Sequence, residues 1–142
     1  MKTDDHLIFM LARAQHCLRA YVKKVFENEK LNITPAQSGI LFLLRQKSQT
    51  MTEISRELSI DNSATTGLVD RLEKAGLAKR KPHPGDRRIF LIEITDVGKE
   101  VIEKAHQVVL KVNSEIEEDF SQEEMETFKR VINSFFIKFK KE

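Results

Sequence analysis

The residues best suited to chemistry in this chain lie between positions 61 and 88, in DNSATTGLVDRLEKAGLAKRKPHPGDRR. The stretch opens on short hydrogen-bonding side chains, Asn62, Ser63, Thr65 and Thr66, and closes on Asp86, Arg87 and Arg88. Hydroxyls and an amide on an exposed helix start suit base edges, thymine methyls or phosphates. The free N–H groups and aligned dipole of such a start also favour an anion. At the other end, an aspartate beside two arginines can fix one guanidinium by a charged hydrogen bond while the other arm reaches outward. Arginine is favoured in narrow A/T-rich minor grooves, where the negative potential is strongest. From Lys79 to Arg88 five Lys or Arg stand against one Asp, so Lys79 and Lys81 join Arg87 and Arg88 as candidate DNA contacts, the lysines on phosphates. Each part also has an ordinary structural use: Ser, Thr and Asn cap helices, and lysines guard the edges of sheets.

Other chemistries find little support. His6, His16, His83 and His106 are scattered, no Ser/His/Asp set or metal-ligand spacing emerges, and no glycine-rich phosphate loop exists. No enzyme, metal or cofactor is therefore expected. Cys17 is the one cysteine, which excludes an internal disulfide and leaves a redox thiol as a separate question. A chain of 142 residues, 40% hydrophobic and 32% charged, fits one domain with a real core. The formal charge is only +2, but Glu115 to Glu126 holds seven acids and no base, so the middle of the chain is the candidate polyanion-facing surface. The opening MKTDDHLIFM is acidic where a signal peptide would be basic, and the apolar runs fall far short of a membrane span. The expectation is a cytoplasmic protein.

These residues need elements to hold them. HLIFMLARAQHCLRAYVKKVFENE has no Gly or Pro and steps its apolar residues by three and four, which predicts a long first helix. Thr34, Pro35 and Gln37 start a second, nearly all-apolar helix with a capping box, and Thr50 with Glu53 start a short third. Asp61 or Asn62 caps a fourth, with Ala64, Gly67, Leu68, Leu72 and Ala75 as its inner stripe and Gly76 as its C-cap. The period then changes to two in LAKR and IFLIEI, separated by KPHPGD, which predicts a hairpin. Helix resumes at Thr95, and Ser121 with Glu124 begins the last one. Two helices joined by SIDN and followed by a hairpin make a helix-turn-helix with a wing, whose second helix enters the DNA major groove. The expected fold is mainly α with a small β-hairpin wing (α+β): a winged helix-turn-helix lobe over about 34–94 and a helical dimerisation region over about 5–30 and 96–140, within one domain spanning 1–142. The last helix carries four of the nine phenylalanines. Its Phe128, Val131, Ile132, Phe135 and Phe139, with Phe9 and Leu11 of the first helix, are the candidate dimer interface.

The chain resembles the MarR family of transcriptional regulators, through LNITPAQSGILFLL, SATTGLVDRLEKAGLAKR, GDRR and EITDVG. The resemblance covers nearly the whole chain. It implies a homodimer with two winged lobes below a dimerisation region made from both chain ends, Arg88 as the minor-groove arginine, Asp86 as its brace, and Arg87 at a variable position. It further implies binding to a pseudo-palindromic promoter site in double-stranded DNA, usually as a repressor, with release by a small aromatic or phenolic effector. The implied pocket lies near the ends of the first, second and fifth helices, where His16, Arg19 and Tyr21 offer a ring, a cation and hydrogen bonds. Some relatives sense peroxides through a first-helix cysteine. The matching position here falls near Arg13, so Cys17 reads as an inert small hydrophobe and a thiol-based sensor is the lesser alternative. The other alternative is a winged-helix module used only for protein contacts.

Overall fold

The computed structural model describes residues 6–140. Its elements run α1 (Leu7–Asn28), α2 (Pro35–Gln46), β1 (Gln49–Thr50), α3 (Met51–Leu58), α4 (Asn62–Lys74), β2 (Ala78–His83), β3 (Asp86–Ile94), α5 (Asp96–Glu117) and α6 (Gln122–Lys138). The fold is mainly α with a small β wing, as the sequence predicts. Among the described residues, those up to 108 form one compact unit and those from 109 a second, with α5 running through both.

Local chemistry sets the helix starts of the first unit. Thr34 accepts from the Gln37 N–H at 3.1 Å while Gln37 accepts from the Thr34 N–H at 2.8 Å, and Thr50 and Glu53 repeat this reciprocal pair. The α2 helix so begun supplies the centre of the core: Ile40 and Leu41 are fully buried, as are Phe26 from α1, Ile54 from α3, Leu72 from α4 and Ile92 from β3. Phe26 is the one buried residue of α1. Where α2 ends, Arg45 donates to His106 Nδ1 at 2.9 Å and pairs with Glu103 at 3.5 Å, linking α2 to α5.

The sheet has the order β1-β3-β2, both pairings antiparallel. β1 is not expected from sequence, because two residues, the second of them the capping threonine of α3, have no strand signature of their own. It exists by pairing Gln49 with Ile92 and Thr50 with Leu91. β2 runs further than LAKR and takes in Pro82, which an edge strand tolerates because a missing N–H costs nothing on the open side. Its register is irregular between Pro82 and His83.

The corner between α4 and β2 is tied to α5. Gly76 adopts φ 77°, and the Leu77 N–H reaches back to the Leu72 carbonyl at 2.9 Å, the glycine-dependent helix stop read from the sequence. Thr95 Oγ1 donates to the Gly76 carbonyl at 2.7 Å and accepts from the Gly98 N–H at 3.0 Å. Gly98 sits so close to this corner that a Cβ would collide with the Leu77 carbonyl oxygen and stand 2.8 Å from Ile94 Cγ1. The motif Thr-x-x-Gly is thus a close backbone approach.

In the second unit α6 starts on the Ser121/Glu124 capping box, and Lys129 pairs with Glu117 at 3.3 Å. No residue of α6 is buried. Phe128 is 52% exposed, Val131 47% and Phe139 75%, while Ile132 and Phe135 are half-buried. In the first unit, Phe9 and Leu11 of α1 are exposed too, and so is Ile8 beside them, which the sequence reading does not single out.

Candidate nucleic-acid interface

Asp61 is the N-cap of α4, its Oδ1 accepting from the Ala64 N–H at 2.7 Å. A carboxylate therefore already occupies part of the helix end that the sequence reading leaves open to an outside anion. Behind the cap, Asn62, Ser63 and Thr66 are exposed, and the Thr66 hydroxyl donates to the Asn62 carbonyl at 2.8 Å. That bond uses the hydroxyl proton and leaves the oxygen able to accept.

Thr65 requires a correction. It is fully buried, with Ser55 Oγ 2.7 Å from its Oγ1 and its hydroxyl donating to the Asp61 carbonyl at 3.0 Å. It cannot reach a base edge. The inner stripe of α4 is Thr65, Val69 and Leu72, one residue out of register with the expected Ala64/Leu68 line. Two hydrogen bonds offset the burial of the Thr65 hydroxyl, so Val69 can take the deep position. Ala64, Gly67 and Leu68 instead line a groove of about 560 Å³ with Arg19, Pro35, Ala36, Gly39, Leu58, Ile60, Ser63 and Arg71.

At the wing, Asp86 holds Arg88 by two parallel bonds, from Nε to Oδ1 at 3.0 Å and from Nη2 to Oδ2 at 3.1 Å, and also accepts from the Arg88 backbone N–H. The Arg88 side chain remains 88% exposed. The Arg88 side-chain bonds, then its backbone N–H, hold the Asp86 carboxyl below its ordinary value. Asp86 in turn raises the Arg88 guanidinium above its ordinary value. This is a fork-to-fork pair with its remaining donors turned outward. Arg87 is exposed beside it.

Lys79 and Lys81 are less free than the sequence suggests. Both ammonium groups sit on Glu93, at 3.2 and 2.7 Å, and these bonds, Lys81 first, hold Glu93 below its ordinary value. Strand alternation puts the two lysines on the hairpin face opposite Arg80. The sequence reading passes over Arg80, whose Nη2 lies 2.7 Å from Asp70 Oδ1 and whose Nε lies 3.0 Å from Glu73 Oε1. An acidic pair three residues apart on the helix, facing a basic strand, was the signal available.

Of His16, Arg19 and Tyr21, only Arg19 lines the groove beside α4; the three do not converge there. That groove lies among α1, α2, the end of α3 and α4, and no residue of α5 lines it. Cys17 is exposed on α1. Among the described residues no group of His, Cys, Asp and Glu could hold a metal ion, and no helix is long and apolar enough to cross a membrane.

Comparison with known proteins agrees with this geometry. Residues 31–89 match the MarR family. PecS of Dickeya dadantii, an HTH-type transcriptional regulator, is 33% identical over 83% of this chain and 72% of its own. The multiple antibiotic resistance protein MarR of Escherichia coli is 32% identical over 72% of each chain. The crystal structure of a mutant of E. coli MarR complexed with operator DNA superposes with a TM-score of 0.76 at 27% identity, covering 94% of this chain and 98% of that one. Relatives at this identity and coverage show the family: the chain belongs to the MarR family of winged helix-turn-helix transcriptional regulators.

Proposed function

We propose that the protein is a sequence-specific regulator that binds a pseudo-palindromic promoter site in double-stranded DNA as a homodimer, represses from it, and is released by a small aromatic or phenolic ligand. The observation that carries this reading is the outward guanidinium of Arg88, braced by Asp86, in the same unit as the exposed Asn62, Ser63 and Thr66. A helix start reads the major groove and a wing arginine the adjacent minor groove. A mutant of the E. coli relative crystallised with operator DNA supports a DNA-binding role. Self-association follows from the exposed apolar residues of α1 and α6, since twofold symmetry matches half-sites about 34 Å apart.

The effector's seat is the groove lined by Arg19 and Arg71. Its volume of about 560 Å³ falls within the ordinary range for small-molecule sites, its walls are largely apolar, and its two guanidiniums suit a carboxylate. It includes Ser63, so an occupant there touches the recognition helix itself.

Selection of a site from random duplexes, followed by anisotropy titration on that site and on a scrambled duplex, tests the reading. Asn62→Ala and Arg88→Ala should each weaken the selected duplex more than the scrambled one. Failure to select any sequence, with equal binding by the wild type and Arg88→Ala, refutes it.

A further inference from the structure

Arg80 is the basic residue of the wing that the DNA-contact reading does not use. It lies on β2, paired with Ile92 of β3, and its side chain turns toward α4. There two of its guanidinium nitrogens, Nη2 and Nε, engage two different carboxylates, Asp70 at 2.7 Å and Glu73 at 3.0 Å. Those acids are not placed at random. Asn62, Thr66, Asp70 and Glu73 follow one another along α4 at steps of four, four and three, so they share one side of the helix. The side that opens with candidate base contacts thus ends on two negative charges, which would repel a phosphate backbone if left bare. A guanidinium spanning two carboxylates about one turn apart also fixes its own plane, and with it the strand that carries it.

We propose that Arg80 is a positioning residue for DNA binding. It fastens the base of the wing to the recognition helix and screens Asp70 and Glu73, so that the ribbon carrying Arg88 leaves the helix-turn-helix from a set point relative to Asn62 and Thr66. This rests on the DNA-binding reading above. It makes Arg80 a residue that acts through Arg88, in contrast to a basic residue that grips a phosphate itself. A lysine separates the two roles: it keeps the charge, but as a point charge on a flexible stem it cannot hold two carboxylates in one plane.

The test uses the full-length protein with Arg80→Lys and Arg80→Ala, and Arg88→Ala as reference. Amide hydrogen exchange across residues 79–90 is measured in the free protein. Affinity is measured for the selected site and for the same site with G/C flanks, at several salt concentrations. Both Arg80 variants should exchange hairpin amides about fivefold faster and lose flank preference by a similar factor, the effect of one modest charged network. In Arg80→Lys the slope of log affinity against log salt should match the wild type, because no phosphate contact has gone. Wild-type exchange in Arg80→Lys overturns the proposal. So does an Arg80→Ala variant that keeps its flank preference but loses about 0.9 from the salt slope, the mark of a direct phosphate contact. If Arg88→Ala changes nothing either, it is the DNA-binding reading that fails, and the exchange rates alone decide whether Arg80 fastens the wing.

Discussion

Thr65→Val is the most informative single change, because the two readings of Thr65 predict opposite outcomes. Valine keeps the shape and replaces the hydroxyl with a methyl. Thr65 Oγ1 donates to the Asp61 carbonyl, so the short bond to Ser55 is made with Ser55 as donor. Ser55 is 7% exposed, and its hydroxyl loses its acceptor when Thr65 becomes valine. Loss of a net hydrogen bond of about 1 kcal/mol and stranding of a buried donor at about 1–3 kcal/mol are offset by about 0.8 kcal/mol from the added buried carbon. The expected cost is about 1–3 kcal/mol, a fall in Tm of roughly 3–10 °C for a chain of this size. Ser55→Ala should cost less, since Thr65 keeps Asp61 as its acceptor, and the double variant should be more stable than Thr65→Val alone. Thermal unfolding of the four proteins at one fixed concentration measures this cycle, and operator binding measures the rest. Base discrimination should survive in Thr65→Val. A variant of wild-type stability that has lost discrimination between operator and scrambled duplex would refute the buried placement and restore Thr65 to the DNA surface.

Other outcomes follow from the same geometry. Asp86→Asn should reproduce part of the loss seen in Arg88→Ala, although it removes no DNA contact. The folded pKa of Asp86 is depressed from an ordinary 3.8, so the brace is complete above the carboxylate range and is lost only as pH falls through the lower value. The affinity ratio of wild type to Asp86→Asn should therefore stay flat from about pH 5.5 to about pH 8, and a ratio that changes there would show another group in control. Gly98→Ala should destabilise by about 1–3 kcal/mol, as overpacking does, because the new methyl meets the Leu77 carbonyl; chemical denaturation checks it. Phe128→Asp with Phe135→Asp should convert dimers to monomers in sedimentation while far-UV dichroism keeps the helical signal, and a fully dimeric double variant would place the interface elsewhere.

What could be read from the sequence was what neighbours in the chain decide. The capping pairs Thr34/Gln37, Thr50/Glu53 and Ser121/Glu124 and the stop at Gly76 all close within a few residues, and all were legible. The bond between Asp86 and Arg88 belongs to the same class. The inner face of α4 was not legible, because Ala64/Leu68/Leu72 and Thr65/Val69/Leu72 are both acceptable helical stripes. The choice is made by Ser55, ten residues upstream, whose hydroxyl gives a buried threonine its partner. The lysines failed for a similar reason: only the register that sets Lys79 opposite Glu93 reveals that their charge is shared. β1, and the grip of Arg80 on α4, likewise depend on partners supplied by the folded sheet.

The short strand β1 gives the wing the mechanics of a cantilever. Thr50 pairs with Leu91, and outward from that point β3 has a neighbour on one side only. At Leu91 and Ile92 β3 is held between β1 and β2, whereas the span from Phe90 to the turn is a two-stranded ribbon, with a register irregularity at Pro82/His83 to soften it. Bending stiffness therefore drops sharply at Leu91. A load applied at Arg88 is absorbed by flexing of the outer ribbon, and little torque reaches the helices behind it. Pairing further residues alongside β1 would move the clamp outward, shorten the free span and make the tip less able to follow grooves of different width.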